Sequence, residues 1–287
     1  MLNLKAYAKI NLTLEVISKR LDGYHEITSV FQTISLHDEI KLAHSNSISI
    51  ECGFKQLDNT SNIAIEAASI LKKYTGTNKG VKITLNKYIP ISAGLGGGSS
   101  DAATVLLGLN QLWDLRLSNK QLVEVASELG SDVPFFLQKG TALVQGRGER
   151  VQRLANAKLG WIVLLSPPIH LKSKTSNLYS QLSSDHLTKG LLTHKLAGRI
   201  KGGGDVPPEF LFNVFEHVSS RAYDGIGMYQ KIFKRIGGKE IHLAGSGPTL
   251  YCFVNSREVG TAMQLLLRHQ YKLGSYLTTP WFPEARF

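Results

Sequence analysis

The stretch Ile89-Pro90-Ile91-Ser92-Ala93-Gly94-Leu95-Gly96-Gly97-Gly98-Ser99-Ser100-Asp101-Ala102-Ala103 decides how the chain is read. It has the glycine density of a phosphate-binding loop, yet it fits neither common form. A Walker loop needs G-x-x-x-x-G-K-[ST], and the stretch contains no lysine. A dinucleotide fingerprint needs G-x-G-x-x-G, and counted from Gly94 the last glycine is replaced by Ser99. Before the loop, VKITLNKYI alternates like a strand and ends at Pro90. After it, Val105, Leu106, Leu109, Leu112 and Trp113 recur at helical spacing. Glycines let backbone approach a ligand closely and turn its amides inward. The first amides of a helix lack intrahelical acceptors, and the helix dipole favours an anion there. The pattern therefore predicts an anion site with mainly main-chain donors. It places Ser99-Ser100 at the N-cap and Asp101 in the first turn, where the carboxylate complements the helix N-terminus. The two serine hydroxyls are candidates for phosphate oxygens or for positioning Mg²⁺. The plain alternative is a glycine-rich turn with an ordinary serine cap.

Upstream of the loop the chain reads as β-rich. LNLKAYAKINLTLEVI alternates, and a turn at Asp22-Gly23 precedes EITSVFQTISL, DEIKLA and SISIEC, read as three short strands. Ile63, Ala64, Ala67, Ile70, Leu71 and Tyr74 then take helical spacing, with Gly76 as the stop. Downstream, Ser118 and Gln121 have the capping-box spacing for a helix through Leu129. Gly130-Ser131-Asp132-Val133-Pro134 interrupts it, and ALVQGRGERVQRL reads as strands around a Gly146–Gly148 turn. A second half begins near Leu159 with the apolar strand Trp161–Leu165. Helical patterns follow to Ile200, a Gly/Pro-rich surface connection covers 201–208, and further helices lead to IHLAGSGPTLYCFV, a strand, glycine turn and strand. Ser256 opens a last helix with Val259, Met263, Leu266 and Leu267 on one face. The expectation is an α+β protein in two halves, residues 1–155 and 156–287.

The totals narrow the function classes. With 287 residues the chain suits two subdomains, and 43% apolar against 19% charged residues describes a folded globular protein. No apolar run approaches the ~20 residues of a membrane span, and the N-terminus lacks signal-peptide regions; a cytoplasmic protein is expected. Cys52 and Cys252 form no C-x-x-C pair, and the nine histidines include no H-E-x-x-H. Neither a disulfide framework nor a transition-metal site is therefore read. The net charge of +11 favours anionic partners, among them nucleic acid, acidic membrane or phosphorylated small molecules. The basic residues are dispersed and not interleaved with aromatics as an RNA-stacking surface requires.

Pro90-x-x-x-Gly94-Leu95-Gly96-x-Gly98-Ser99-Ser100-x-Ala102-Ala103 resembles the ATP-binding motif of the GHMP kinases. Ser92 departs slightly from the small Gly or Ala often found there. Ala8-Lys9-Ile10-Asn11-Leu12, Arg20-Leu21-Asp22-Gly23-Tyr24-His25, Gly130-Ser131-Asp132-Val133-Pro134-Phe135-Phe136 and Leu243-Ala244-Gly245-Ser246-Gly247-Pro248-Thr249 occur in the same order as in one branch of that superfamily. That branch acts on 4-diphosphocytidyl-2-C-methyl-D-erythritol, and the resemblance spans nearly the whole chain. It implies a two-part GHMP fold, an N-terminal ATP-binding half and a C-terminal ferredoxin-like half with the active site between them.

The resemblance also implies roles. ATP, with Mg²⁺ as its bound ion, would lie on Pro90, Gly94, Leu95, Gly96, Gly97, Gly98, Ser99 and Ser100, and no protein ligand for the metal is assigned. Asp132 would orient or deprotonate the accepting hydroxyl, with Lys9 as the cation beside it. Tyr24 and Tyr179 would flank the cytosine and His25 would read its polar edge. Asn11, Thr175, Gly245 and Ser246 would contact substrate, the Gly245–Gly247 turn facing the nucleotide loop. Asn213-Val214-Phe215-Glu216 is read as helix packing. The expected partner is the small-molecule substrate, with neither nucleic acid nor membrane, in a monomer or dimer. Two alternatives stay open: another GHMP kinase with a different acceptor, or a basic nucleic-acid-binding protein without catalysis.

Overall fold

The structure is a computed structural model and describes residues 1–54, 57, 61–169 and 174–284. The chain folds into two compact units that interleave along the sequence. One comprises Met1–Ala8, Leu36–Ile91 and Gly96–Gln138, the other Lys9–Ser35, Ser92–Leu95 and Lys139–Phe287. Strands β1 (Leu2–Lys19) and β2 (His25–Ser45) are long enough to contribute a segment to each unit.

In the first unit, β3 (Ile48–Cys52) pairs in parallel with β4 (Gly80–Asn86), and β4 pairs antiparallel with Glu39–Ser45 of β2. Helix α1 (Ile63–Thr75) is capped by the Asn62 side chain at its start and by Gly76, in the left-handed region, at its end. Helix α2 (Gly97–Leu112) packs on α1, and its Gly108 lies close against the sheet. A Cβ there would lie 2.5 Å from the side chains of both Leu4 and Leu42. Helix α3 (Asn119–Leu129) carries the expected capping box of Ser118 and Gln121, and α4 (Val133–Gln138) follows after a short turn.

In the second unit, β5 (Thr141–Gly146) pairs antiparallel with Ile27–Gln32 of β2 and forms a hairpin with β6 (Arg150–Arg153), turning at Gly146 as expected. A separate antiparallel sheet contains β7 (Trp161–Ser166), β9 (His242–Leu243), β10 (Leu250–Val254) and β11 (Gly274–Thr278), in the order β11-β7-β10-β9. Between β7 and β9 lie helices α5 (Lys174–Ser180), α6 (Leu191–Lys201), α7 (Glu216–Ala222) and α8 (Ile226–Arg235), together with strand β8 (Phe212–Asn213). Helix α9 (Arg257–Leu265), capped by Ser256, separates β10 from β11. The succession β-α-β-β-α-β is that of a ferredoxin-like sandwich. Its core gathers Val163, Leu165, Phe215, Phe233, Leu250 and Leu267, all buried. Strand β8 leaves this arrangement and pairs in parallel with Thr13 and Leu14 of β1.

Two local expectations are corrected. EITSVFQTISL and DEIKLA are parts of one strand, β2, not two. The charged Asp38 suggests a break, but it is fully buried, and its carboxylate accepts the Tyr88 and Ile89 N–H groups at 2.6 and 2.8 Å. Buried carboxylates persist where such donors replace water. The second correction concerns the phosphate loop. Helix α2 begins at Gly97 with Gly96 as N-cap at φ 71°, ahead of the expected serine cap. Ser99 and Ser100 thus lie within the first turn, and Asp101 falls beyond it.

Candidate active site

The loop from Pro90 to Ser100 takes its shape from two glycines in the left-handed region, Gly94 at φ 83° and Gly96 at φ 71°. The Ser100 N–H bonds the Gly96 carbonyl at 2.9 Å, so the amides of Gly97, Gly98 and Ser99 precede the helix's own ladder. The Ser100 hydroxyl is buried in this turn without a hydrogen-bond partner among the described residues. Preceding amides and an orphaned hydroxyl fit a ligand rich in acceptor oxygens, as a polyphosphate or a hard cation's shell is. Ser92 also stands at φ 55°, where a Cβ is disfavoured, so its departure from Gly has a conformational cost.

Asp101 does not serve the helix N-terminus. It turns toward Lys87, whose Nζ donates to Asp101 Oδ2 at 2.7 Å and to Asp38 Oδ2 at 2.5 Å, all three side chains being nearly buried. A Cβ on Gly97 would lie 3.3 Å from this ammonium. The lysine absent from the loop string thus stands under the first residue of α2, supplied by the end of the preceding strand. Burial drives the Asp101 carboxyl up to about 8; the Lys87 charge opposes this and the Asp38 charge reinforces it. Burial by itself would lower the Lys87 ammonium, but Asp101 and Asp38 outweigh it and hold it above the ordinary lysine value. Burial, with the nearby Asp38 charge, makes Asp101 favour its proton in spite of Lys87.

In the second unit a different lysine is held differently. Alternation along β1 puts Lys9 and Asn11 on one face, and both are buried. Lys9 is therefore not the solvated strand residue that alternation alone would suggest. Lys9 Nζ donates to Asn11 Oδ1 at 2.8 Å and lies 4.1 Å from the Phe31 ring centroid. Asn11 Nδ2 donates to Ser29 Oγ at 3.0 Å, and the Tyr251 hydroxyl donates to the Asn11 carbonyl at 2.7 Å. The Lys9 N–H bonds the Leu95 carbonyl at 2.9 Å, which ties β1 to the start of the phosphate loop.

The Gly245–Gly247 turn faces that part of the loop, as expected. A Cβ on Gly94 would fall 2.0 Å from the Ala244 carbonyl oxygen, and one on Gly245 would fall 2.8 Å from the Gly94 oxygen. The same Cβ on Gly245 would lie 3.3 Å from both Lys9 Nζ and Asn11 Oδ1. Gly245 and Gly247 both have positive φ, 53° and 69°. Asn213 holds the turn from below, with Nδ2 donating to the Leu243 and Gly245 carbonyls at 2.8 Å each. The Tyr223 hydroxyl donates to the Ser246 carbonyl, and Ser246 Oγ lies 3.0 Å from Thr175 Oγ1.

The aromatic candidates gather around the β1–β2 turn and α5. Gly23 at φ 85° closes the turn, and Asp22 Oδ1 accepts the Tyr24 N–H at 3.1 Å. Tyr24 is 51% exposed, with the Arg147 guanidinium 5.2 Å from its ring centroid. His25 stacks on Tyr179 at 4.4 Å with 15° between planes, and Tyr179 meets Phe215 edge to face at 4.9 Å. Burial, and then Lys19, lower the His25 imidazole below its ordinary value. At neutral pH it is thus a neutral ring with one donor and one acceptor. Tyr179 and Thr175 are described, while residues 170–173 of the segment preceding them lie outside the described residues. Asp132 belongs to the first unit, in the turn between α3 and α4, and is half-buried.

The structure thus brings Lys9, Asn11, Gly94 and Gly245 together, Thr175 with Ser246, and His25 with Tyr179. Asn213 supports the Gly245 turn, whereas Lys87 and Asp38 lie beside the start of α2 and belong to no site motif. Lys87 directly follows β4, where nothing local marks it. Asn213, expected in helix packing, instead ends strand β8 and bonds the glycine turn.

Comparison with known proteins adds to this geometry. Residues 62–140 match the model of the GHMP kinases N terminal domain. A 4-diphosphocytidyl-2-C-methyl-D-erythritol kinase of Dehalococcoides mccartyi is 38% identical over 260 residues, 90% of this chain and 91% of that protein. One of the same name from Bacillus licheniformis is 39% identical, with 87% of each chain covered. A crystal structure of 4-(cytidine 5'-diphospho)-2C-methyl-D-erythritol kinase superposes with a TM-score of 0.81 at 29% identity, covering 96% of this chain and 98% of the other. A homoserine kinase from Cytophaga hutchinsonii shares the fold at 18% identity, with a TM-score of 0.69 and coverage of 98% and 96%.

Proposed function

The chain belongs to the 4-diphosphocytidyl-2-C-methyl-D-erythritol kinases, a branch of the GHMP kinases, and from that premise we propose how its residues divide the work. The reaction transfers the γ-phosphoryl group of ATP to the 2-hydroxyl of 4-diphosphocytidyl-2-C-methyl-D-erythritol, giving the 2-phosphate and ADP in the methylerythritol phosphate pathway. Phosphoryl transfer needs mainly positioning and charge stabilisation. The observation that best supports the residue assignments is the buried Lys9–Asn11 pair beside Gly245 and below the start of the glycine loop.

Lys9 is assigned as the cation that stabilises negative charge on the accepting oxygen and the transferred group. Its bond to Asn11 orients the ammonium. Asp132 is assigned as the carboxylate that orients the hydroxyl or receives its proton. The amides of Gly97, Gly98 and Ser99 are assigned to ATP phosphates, with Pro90, Gly94, Leu95 and Gly96 shaping the loop and the Ser99 and Ser100 hydroxyls as further contacts. Mg²⁺ arriving with ATP would neutralise phosphate charge, and the Ser100 oxygen is the group here that suits it. Tyr24 and Tyr179 are assigned to the cytosine faces and neutral His25 to its edge, because its donor and acceptor match a pyrimidine's polar edge. Asn11, Thr175, Gly245 and Ser246 complete the substrate contacts. The division at residue 155, a cytoplasmic location and the absence of nucleic-acid and membrane partners belong to the same proposal. Among the described residues no helix is long and apolar enough to cross a membrane.

The test is ADP release by purified protein with Mg-ATP and 4-diphosphocytidyl-2-C-methyl-D-erythritol, against mevalonate and homoserine. Turnover with the first substrate alone is expected. Equal kcat/KM for an acceptor lacking the cytidine would remove Tyr24, His25 and Tyr179 from recognition.

A further inference from the structure

Helix α5 contacts the start of the glycine loop and the turn facing it at one end and carries a ring assigned to the nucleobase near the other. At its start, Lys174 Nζ donates to the Ser92 carbonyl at 2.7 Å and to the Gly247 carbonyl. Ser92 begins the bend of the phosphate loop, and Gly247 belongs to the turn packed against it. The next residue, Thr175, reaches Ser246. Five residues after Lys174, about 7.5 Å along a helix axis, Tyr179 stacks on His25. One short helix thus carries an ammonium that straps two backbone turns and an aromatic ring assigned to the nucleobase.

The strap has a local reason. Ser92 is held at φ 55°, in the left-handed region where the Cβ of a non-glycine residue crowds the following carbonyl. Neighbouring structure must therefore hold it there. Gly94 allows close approach to Ala244 but carries no side chain to fix the distance. An ammonium is suited to the task, since it offers three donors to carbonyls and needs no acceptor of its own.

We propose that Lys174 is a positioning residue that clasps the start of the phosphate loop to the Gly245–Gly247 turn, and that α5 thereby couples nucleobase binding to ATP binding. The proposal rests on the assignment of Tyr179 to the cytosine. A base settling on Tyr179 orders α5, which sets Lys174, which holds Ser92 and the loop in the form that receives phosphates. Such coupling is reciprocal: ATP binding must tighten the cytidine end by the same factor.

Titration calorimetry with cytidine 5'-diphosphate, in the presence and absence of a Mg-bound non-hydrolysable ATP analogue, measures it. The wild type is expected to bind cytidine diphosphate on the order of tenfold more tightly with the analogue present. Lys174→Met is expected to bring that factor within about twofold of unity and to raise KM for ATP several-fold more than it lowers kcat. Lys174→Arg, which keeps the donors, should restore most of the coupling. Ser92→Gly in the Lys174→Met background should recover part of the KM for ATP, because glycine adopts the loop geometry without the strap. Independent binding of the two nucleotides in the wild type overturns the proposal whether or not the variants fold, and so does full coupling in folded Lys174→Met. Failure of the underlying assignment looks different: Tyr179→Ala would then leave cytidine diphosphate affinity itself unchanged.

Discussion

Two buried lysines show how differently one side chain can be used. Lys87, in the first unit, is clamped by Asp38 and Asp101 at 2.5 and 2.7 Å. Lys9, in the second, is held by a neutral amide at 2.8 Å and an aromatic face. The two carboxylates neutralise the Lys87 ammonium, whereas the amide orients the Lys9 ammonium. The first arrangement makes a floor for a helix start, and the second is suited to stabilising charge that develops on a reacting group. Burial and a lysine are therefore insufficient to identify a catalytic site.

The largest expected effect tests the catalytic side. Asp132→Ala is expected to lower kcat on the order of 10²–10⁴-fold with the fold intact, and Lys9→Met to fall in the same range. Steady-state rates and circular dichroism of each variant check this. Near-normal turnover in either would remove that residue from the chemistry. Lys87→Met should act mainly on stability, costing about 3–5 kcal/mol in chemical denaturation because two buried carboxylates lose their cation. If Lys9→Met proved the more destabilising of the two, the contrast drawn between the lysines would collapse.

Gly245→Ala sharpens the comparison from the backbone side. Its φ of 53° and the 2.8 Å approach to the Gly94 oxygen leave no room for a Cβ, and the displaced groups include Lys9 and Asn11. A loss in kcat of about tenfold or more is expected from misplacement alone. The smallest effect concerns pH. The folded Asp101 carboxyl, at about 8, lies above its ordinary value of 3.8. Its contribution to stability is complete below that lower value and is lost as pH rises through about 8. Asp101→Asn should flatten this decline when urea midpoints are compared between about pH 5 and pH 8. An unchanged slope would show that Asp101 does not carry the pH dependence.

Local features of the fold are legible in the sequence. The Ser118–Gln121 capping box, the Gly76 and Ser256 caps and the hairpin at Gly146 depend on residues a few positions apart. The glycine loop and the turn facing it can be read for the same reason. What escapes such reading depends on distant partners. Asp38 resembles a surface break in β2 because its donors, at Lys87, Tyr88 and Ile89, come from about fifty positions later. Asp101 resembles a helix-start carboxylate because nothing local announces Lys87 as its partner. The helix starts ahead of the serines because Gly96, in the left-handed region, ends the loop without any side-chain cap. Lys174 gives no signal because its acceptors are backbone carbonyls, which every sequence contains.

The glycines of the loop string also differ in what a mutational scan would find. Gly94 is closed to any side chain by the Ala244 carbonyl, 2.0 Å from where a Cβ would stand. Gly98 has ordinary helical backbone, and its added Cβ would meet only Ile63, at 3.5 Å. The first glycine is demanded by another stretch of the same polypeptide, whereas at the second an added Cβ would make only an ordinary contact with Ile63. A consensus pattern writes both with one letter. Drift at position 94 would have to be matched by a change near 244, whereas on the proposed assignment drift at position 98 would report on the nucleotide, so the two positions carry separate evolutionary records.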